Sequence, residues 1–134
     1  MPVPGRIVTW VVGAPTVTPI SPPGSNEQGA DHSFSLVTSF DPVWSPDGQW
    51  IAYQWTFDTF SRNPNPHSDD RSQIWIVHPD GTGARKVLGG NFWRTVWSPD
   101  GKYLYGAMYQ DSQPGDVVRV ELASGKVERI APRE

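Results

Sequence analysis

The pentapeptide Trp-Ser-Pro-Asp-Gly occurs twice in this chain, at residues 44–48 and 97–101. A valine precedes each copy, and each is followed by a polar residue and then a run of aromatic and aliphatic residues. Repeats about 50 residues apart are typical of propellers, solenoids and other arrays. Because two repeats are too few to close a ring, either copies of the chain assemble or the chain is a piece of something larger.

Short runs rich in Val, Ile, Trp and Tyr follow each pentapeptide, and no segment keeps apolar residues at helical spacing for three turns. The first repeat predicts four strands, at residues 42–44, 49–57, 73–78 and 84–88. The second repeat predicts the same order, at residues 93–97, 102–109, 116–122 and 126–130. Four antiparallel strands joined by short turns form the blade of a β-propeller. We therefore predict an all-β chain with one blade at 41–90 and a second at 91–134.

The first forty residues carry no pentapeptide and differ from both repeats. They predict strands at 6–12 and 34–39, separated by a loop at 13–33 that is rich in Pro, Gly and Ser. We interpret 1–40 as a partial blade whose inner strands are missing. Its first strand fits the second or the third position of a blade, and the sequence does not decide between them.

The serine and aspartate of each pentapeptide have the properties of turn residues. Proline fixes φ at the second turn position, aspartate accepts bonds from nearby backbone N–H groups, and glycine accepts a positive φ. Ser45 and Ser98 lack the Gly-x-Ser-x-Gly sequence of a nucleophile elbow and have no histidine at matching positions. We therefore assign no catalytic residue and expect a chain that is not an enzyme.

Composition excludes several classes of function. The formal net charge of -3, with both signs spread along the chain, argues against nucleic-acid binding. No apolar run approaches the roughly 20 residues of a membrane span, and the N-terminus has no signal-peptide pattern. The absence of cysteine excludes disulfides and thiolate metal sites.

The two repeats resemble a known family. The pentapeptide, then Ile-Ala-Tyr at 51–53, then Gln-Ile-Trp-Ile-Val-His-Pro-Asp-Gly at 73–81 is similar to the TolB-type, WD40-like propeller repeat called PD40. The resemblance covers roughly residues 40–131, although the last turn of the second copy departs from the Asp-Gly form. It implies a propeller of a kind found in bacterial periplasmic scaffolds and in the gating domains of prolyl-oligopeptidase-like peptidases. It thus implies a periplasmic or extracellular location.

The insertion between the second and third strands of the first repeat is a candidate metal site. His67 lies there with Asp58, Asp69 and Asp70, and hard cations prefer carboxylate ligands. No known ligand spacing is matched, and the Asn-Pro-Asn-Pro segment beside His67 is typical of a solvated loop. We therefore predict no metal and no cofactor.

A binding surface is the favoured role of the loops that emerge on one face of the blades. We expect Trp93 and Arg94 to be the main contact residues, because these types are enriched in interface hot spots. The alternative for an aromatic such as Phe92 or Trp93 is packing between blades. The full predicted set is Phe40, Asp41, Arg62, His67, Phe92, Trp93 and Arg94.

The sequence thus predicts a non-enzymatic propeller scaffold that binds a protein or peptide. Terminal blades of an isolated arc would expose apolar faces, so we expect two or three copies of the chain to complete a ring. Core packing between blades is assigned to Trp44, Ile51, Trp75, Trp97, Leu104 and Val118. The alternative function is a propeller that gates or positions substrate for a prolyl-oligopeptidase-like hydrolase domain.

Overall fold

The computed structural model describes residues 6–21, 25–28, 34–60, 72–90, 92–110 and 113–131. The strands in these ranges are β1 (Val8–Trp10), β2 (Val17–Pro19), β3 (Ser25–Gln28), β4 (Phe34–Trp44), β5 (Ile51–Phe60), β6 (Ser72–Val77), β7 (Arg85–Gly89), β8 (Phe92–Trp97), β9 (Tyr103–Gln110), β10 (Gln113–Glu121) and β11 (Val127–Ala131). Within the same ranges, no helix has the length and hydrophobicity needed to cross a membrane.

These strands form two large antiparallel sheets and one small hairpin. The sheet we call blade 1 has five strands in the order β3-β4-β5-β6-β7. The sheet we call blade 2 has four strands in the order β11-β10-β9-β8. Neighbours in each sheet are also neighbours in sequence, as in the blade of a propeller. The prediction of an all-β chain built from antiparallel blades is confirmed.

Residues 13–39 differ from the prediction. Strands β2 and β3 lie in the segment that we interpreted as a loop. Strand β4 runs without a break from Phe34 to Trp44, so the strand predicted at 34–39 is the first half of the inner strand of blade 1. Strand β3 pairs with residues 34–37 and gives blade 1 its fifth strand. Backbone pairing at a sheet edge needs no apolar side chains, which is why the Ser-Asn-Glu-Gln sequence of β3 shows no strand pattern.

The two Trp-Ser-Pro-Asp-Gly turns have the same hydrogen-bond network. In the first turn, the Ser45 hydroxyl donates to Asp47 Oδ1 at 2.6 Å and accepts from the Trp50 N–H at 2.9 Å. In the second, the Ser98 hydroxyl donates to Asp100 Oδ1 at 2.6 Å and accepts from the Tyr103 N–H at 3.0 Å. The predicted role of serine and aspartate as turn residues is confirmed.

The turn carboxylates make the stability of the fold sensitive to acid. The hydroxyls of Ser45 and Ser98, together with backbone N–H groups, hold the pKa of Asp47 and of Asp100 below the ordinary value of 3.8. Because each pKa is lower in the folded than in the unfolded chain, the stabilisation is present above the unfolded-state pKa. It is lost as the pH falls through the folded-state value.

We therefore expect the melting temperature of the wild type to fall more steeply below about pH 4 than that of an Asp47→Asn/Asp100→Asn variant. Thermal unfolding, followed by circular dichroism from about pH 2 to about pH 7, measures this difference. This range brackets the ordinary pKa of aspartate. Asp41→Asn lies outside both turns and is the control. Parallel pH profiles for the wild type and the double variant would contradict the assignment.

The main core lies between the two blades. Blade 1 contributes Ala52, Ile74 and Ile76, and blade 2 packs against them with Phe92, Trp97, Leu104, Val118 and Val120. The Trp97 indole Nε1 also donates to the backbone carbonyl of Val43 at 3.0 Å, which ties the inner strand of blade 2 to that of blade 1. The predicted core positions of Trp97, Leu104 and Val118 are therefore confirmed.

Trp44, the equivalent of Trp97 in the first repeat, does not belong to this core. Its side chain is 54% exposed, so the prediction that it packs between blades is wrong. Trp44 pairs with Ile51 and shares its face of blade 1, the face turned away from blade 2. The described residues therefore leave this face of blade 1 uncovered at Trp44, the end of the inner strand.

The N-terminal hairpin, formed by β1 and β2, covers the rest of that face. Ile7 and Ile20 are buried there against Ile51, Tyr53 and Val77, and Trp75 packs half-buried beside them. The Thr9 hydroxyl donates to the Pro79 carbonyl at 2.9 Å and fixes the hairpin to blade 1. The hairpin therefore lies over β5 and β6.

Candidate functional site

Five of the seven predicted binding residues lie in the described part of the chain. Phe40 and Asp41 are in β4, and Phe92, Trp93 and Arg94 are in β8. The remaining two, Arg62 and His67, lie outside the described residues. All five described residues of the predicted set therefore lie on the inner strands, β4 in blade 1 and β8 in blade 2.

Each inner strand contains a β-bulge at the same place in the repeat. In blade 1, Phe40 pairs with Gln54 and Val43 with Ala52, so residues 41 and 42 both face residue 53. In blade 2, residues 94 and 95 face residue 106 in the same way. Two residues opposite one define the bulge, which bends the strand and changes the direction of its side chains.

The first residue of each bulge has a backbone conformation that glycine normally supplies. Asp41 has φ of 52° and Arg94 has φ of 58°, and they are the non-glycine residues with positive φ in the described chain. A residue with a Cβ pays about 1 kcal/mol or more for this conformation. Aspartate tolerates it better than arginine does. Two blades therefore keep a charged side chain where glycine would be less strained.

Both charged side chains point to solvent from neighbouring strands. Asp41 and Arg94 are exposed, and the strands that carry them, β4 and β8, lie next to each other. Neither side chain forms a salt bridge with another described residue. One acidic and one basic group are therefore available to a ligand along the same edge of the molecule.

Three buried side chains with unpaired polar atoms lie next to the bulges, and one of them is Tyr53, which lies opposite residues 41 and 42. Gln54, the pairing partner of Phe40, is 1% exposed, and neither its amide oxygen nor its nitrogen has a hydrogen-bond partner. Thr95, which follows Arg94, is 5% exposed, and its hydroxyl is also without a partner. Buried polar groups are nearly always paired, because leaving one unpaired costs about 1–3 kcal/mol. The bulges therefore lie over buried hydrogen-bond donors and acceptors that have no partner in the described structure.

The bulges also lie on an open sheet edge, which we call the inner edge. It consists of β8, the edge strand of blade 2, and residues 38–44 of β4. Within the described ranges, β3 pairs with β4 over residues 34–37 and no strand pairs beyond them on that side. An open edge presents backbone N–H and C=O groups, which can pair with an added strand.

The two phenylalanines of the predicted set are less accessible than the charged residues. Phe92 is 3% exposed and belongs to the core between the blades, where its ring limits the space at Gly106. A Cβ on Gly106 would lie 3.3 Å from Phe92 Cδ1. Phe40 is half-buried. Among the members whose side chains the structure describes, Asp41 and Arg94 are the ones exposed to solvent.

Comparison with known proteins supports the fold. Neither a family model nor a curated protein matches this chain. A solved structure described as oligogalacturonate lyase in complex with manganese, a β-propeller, aligns with 89% of the chain at a TM-score of 0.54 and 13% identity. The chain has the blade fold of a β-propeller. It spans 40% of the length of that lyase, and the PD40 resemblance remains a prediction at the level of the family.

The sequence did not reveal the buried part of this site. Strand β5 is buried on both faces from Ile51 to Gln54, so the alternation of polar and apolar residues gives no sign that Gln54 faces inward. Thr95 is an ordinary strand residue by type. The 53-residue repeat does place Asp41 and Arg94 at equivalent positions. Neither residue is the glycine that usually indicates a bulge with positive φ, so the sequence did not predict the bulges.

Proposed function

We propose that this chain is a non-enzymatic propeller scaffold that binds a protein or peptide along its inner edge. One observation carries the proposal: Asp41 and Arg94 hold a strained backbone conformation at equivalent positions of the two blades. Strain retained in two places where glycine would remove it points to a function for the side chains. Bulges and charged residues also protect an open edge from unwanted pairing, and in that role alone the variants described below would not weaken the binding of a peptide.

The chemistry of the inner edge favours an extended peptide. Backbone groups of β8 can pair with an added strand, and side chains of opposite charge can select its sequence and direction. Asp41 would contact a basic residue of the peptide and Arg94 an acidic one. Arginine binds carboxylates through two parallel hydrogen bonds, so the acidic residue is the better defined of the two.

The enzymatic alternative has less support in the described residues. The similar lyase structure contains manganese, but at 13% identity the likeness shows the fold alone. In the part of the chain that the structure describes, no group of three or more His, Asp or Glu side chains is arranged to hold a metal. A propeller that positions substrate for a hydrolase domain would use the same inner edge and remains the alternative.

A selection from a library of random peptides tests the proposal. We expect the immobilised protein to enrich peptides that carry one basic and one acidic residue. With the best synthetic peptide, Asp41→Asn and Arg94→Gln should each weaken binding about tenfold, or about 1.4 kcal/mol, and more salt should weaken wild-type binding. Titration calorimetry measures the affinities.

Lys126→Gln is the matched control, because Lys126 is exposed and precedes the outer strand of blade 2 rather than lying on the inner edge. It should bind the peptide like the wild type. Binding that both inner-edge variants leave unchanged, or that Lys126→Gln weakens equally, would overturn the proposal.

We also propose that the protein assembles with a second copy of itself through the N-terminal hairpin. Thr9 of the hairpin faces blade 1, whereas Val8, Trp10 and Val17 face away from it and are 44%, 56% and 51% exposed. Together with Val11 and Val12 of the turn, which are also exposed, these residues provide on the order of 500 Å² of apolar surface per copy. Two copies then bury about 1,000 Å², enough for a specific interface.

The outer face of blade 2 is a poor partner for that apolar surface. Arg119 lies there at the position that the buried Ile76 occupies in blade 1. Its guanidinium pairs with Glu128 at 2.7 Å and lies 4.7 Å from the centre of the Tyr103 ring. Burying such an ion pair against an apolar surface is costly. We therefore favour a symmetric contact between two hairpins over the head-to-tail contact that the predicted ring of two or three copies would need.

A further inference from the structure

A groove with a cavity volume of about 490 Å³ runs along the seam between the two blades. Trp50, Ile76 and Arg85 line it from blade 1, and Lys102 and Leu122 line it from blade 2. It lies beside the tight turns and shares no residue with the inner edge described above. Its volume falls in the range of sites that bind small molecules, and such sites are frequent where two structural units meet.

The groove has an apolar floor and a fixed aromatic wall. Ile76 is part of the core between the blades, and Leu122 packs against that core. The Trp50 ring stacks on His78 with 3.7 Å between the ring centres, and the His78 Nδ1 contacts the Gln49 carbonyl at 2.9 Å. The wall that Trp50 forms is therefore held in place before a ligand arrives, and it suits a flat apolar group.

The accessible charges of the groove are positive. Arg85 donates one hydrogen bond, from Nη2 to the Leu122 carbonyl at 3.0 Å, and has further donors. Lys102 is exposed. The one acidic residue in the lining is Glu121, whose carboxylate accepts from the Ser124 hydroxyl and also lines the charged outer face of blade 2 with Lys126 and Glu128.

We propose that this groove binds a small amphipathic anion, with a flat apolar body against Trp50 and a carboxylate between Arg85 and Lys102. Charge-assisted hydrogen bonds from arginine to a carboxylate are among the stronger polar contacts in proteins. This site is independent of peptide binding at the inner edge and of the assembly through the hairpin.

The probe for this site is 2-naphthoate, with 2-naphthalenemethanol as the neutral compound of similar size. Titrations of the ¹⁵N-labelled full chain, followed by two-dimensional NMR, should show 2-naphthoate binding at least about tenfold more tightly than the alcohol. The indole N–H of Trp50 and the amides of Arg85 and Lys102 should shift most. In Arg85→Gln/Lys102→Gln, the two compounds should bind with affinities within about twofold of each other.

Lys126→Gln, on the outer face of blade 2, should bind like the wild type. Because Arg85→Gln also removes the bond to the Leu122 carbonyl, Lys102→Gln alone provides a variant that leaves this bond intact. It should reduce the preference for the anion by about threefold. Equal affinity of the wild type for anion and alcohol, or shifts centred on Trp10 of the hairpin, would overturn the proposal.

Discussion

Replacing Trp97 with alanine is expected to lower the free energy of unfolding by about 3–5 kcal/mol. The same replacement at Trp44 should cost about 1 kcal/mol or less. The two residues are equivalent in the repeat, but Trp97 is 7% exposed and Trp44 is 54% exposed. Trp97 fills the core between the blades and donates to the Val43 carbonyl, so its loss removes apolar packing and a hydrogen bond together.

Urea denaturation of the two alanine variants, followed by circular dichroism, measures this difference. Trp97→Phe keeps one aromatic ring in the core but removes the indole N–H and part of the buried ring area. We expect it to cost about 1–3 kcal/mol, less than Trp97→Ala, from the lost bond to the Val43 carbonyl and the lost packing together. Equal costs for Trp97→Ala and Trp44→Ala would mean that the blades do not pack through Trp97.

Placing lysine at position 17 is expected to convert a dimeric protein into a monomer, halving its mass in solution. Val17 lies opposite Trp10 on the outward face of the hairpin, and burying a charge at the centre of an apolar interface is strongly unfavourable. Sedimentation velocity of the wild type and Val17→Lys measures the change. Val96→Lys is the matched control, because Val96 is 57% exposed on the inner strand of blade 2 and should leave the mass unchanged.

Disulfide crosslinking through single introduced cysteines tests the same contact independently, because the chain has no cysteine of its own. In a symmetric interface, identical residues near the axis face each other. Cysteine at Trp10 or Val17 should therefore form a disulfide-linked dimer on oxidation, whereas cysteine at Val96 should not. A monomeric wild type, or a dimer that Val17→Lys leaves intact, would contradict the symmetric assembly.

The fold was predictable from the sequence because turn chemistry and strand composition agree in both repeats. The Ser-Pro-Asp-Gly turns place glycine where φ is 71° at Gly48 and 72° at Gly101, as turn chemistry requires. The sheet edges were harder to predict. Strand β2 is three residues long and ends in proline, and β3 has no apolar residue, so neither shows the alternation that identifies a half-buried strand.

The candidate site was predictable only in part. Asp41 and Arg94 were selected as loop residues on the face of the blades, whereas the structure places them at bulges within the inner strands. A change of register depends on how two strands pair, which a single strand sequence does not encode. The exposure of Trp44 depends on what covers one face of blade 1, a property of tertiary structure rather than of the repeat.

The most direct test of the account is the unfolding free energy of Asp41→Gly/Arg94→Gly, measured beside its affinity for the selected peptide. If the charged residues are kept for binding at the expense of backbone strain, the variant should be about 1–2 kcal/mol more stable than the wild type. It should also lose at least about tenfold in affinity. A variant that is less stable than the wild type, or that binds the peptide equally well, would contradict the assignment of the inner edge as the binding site.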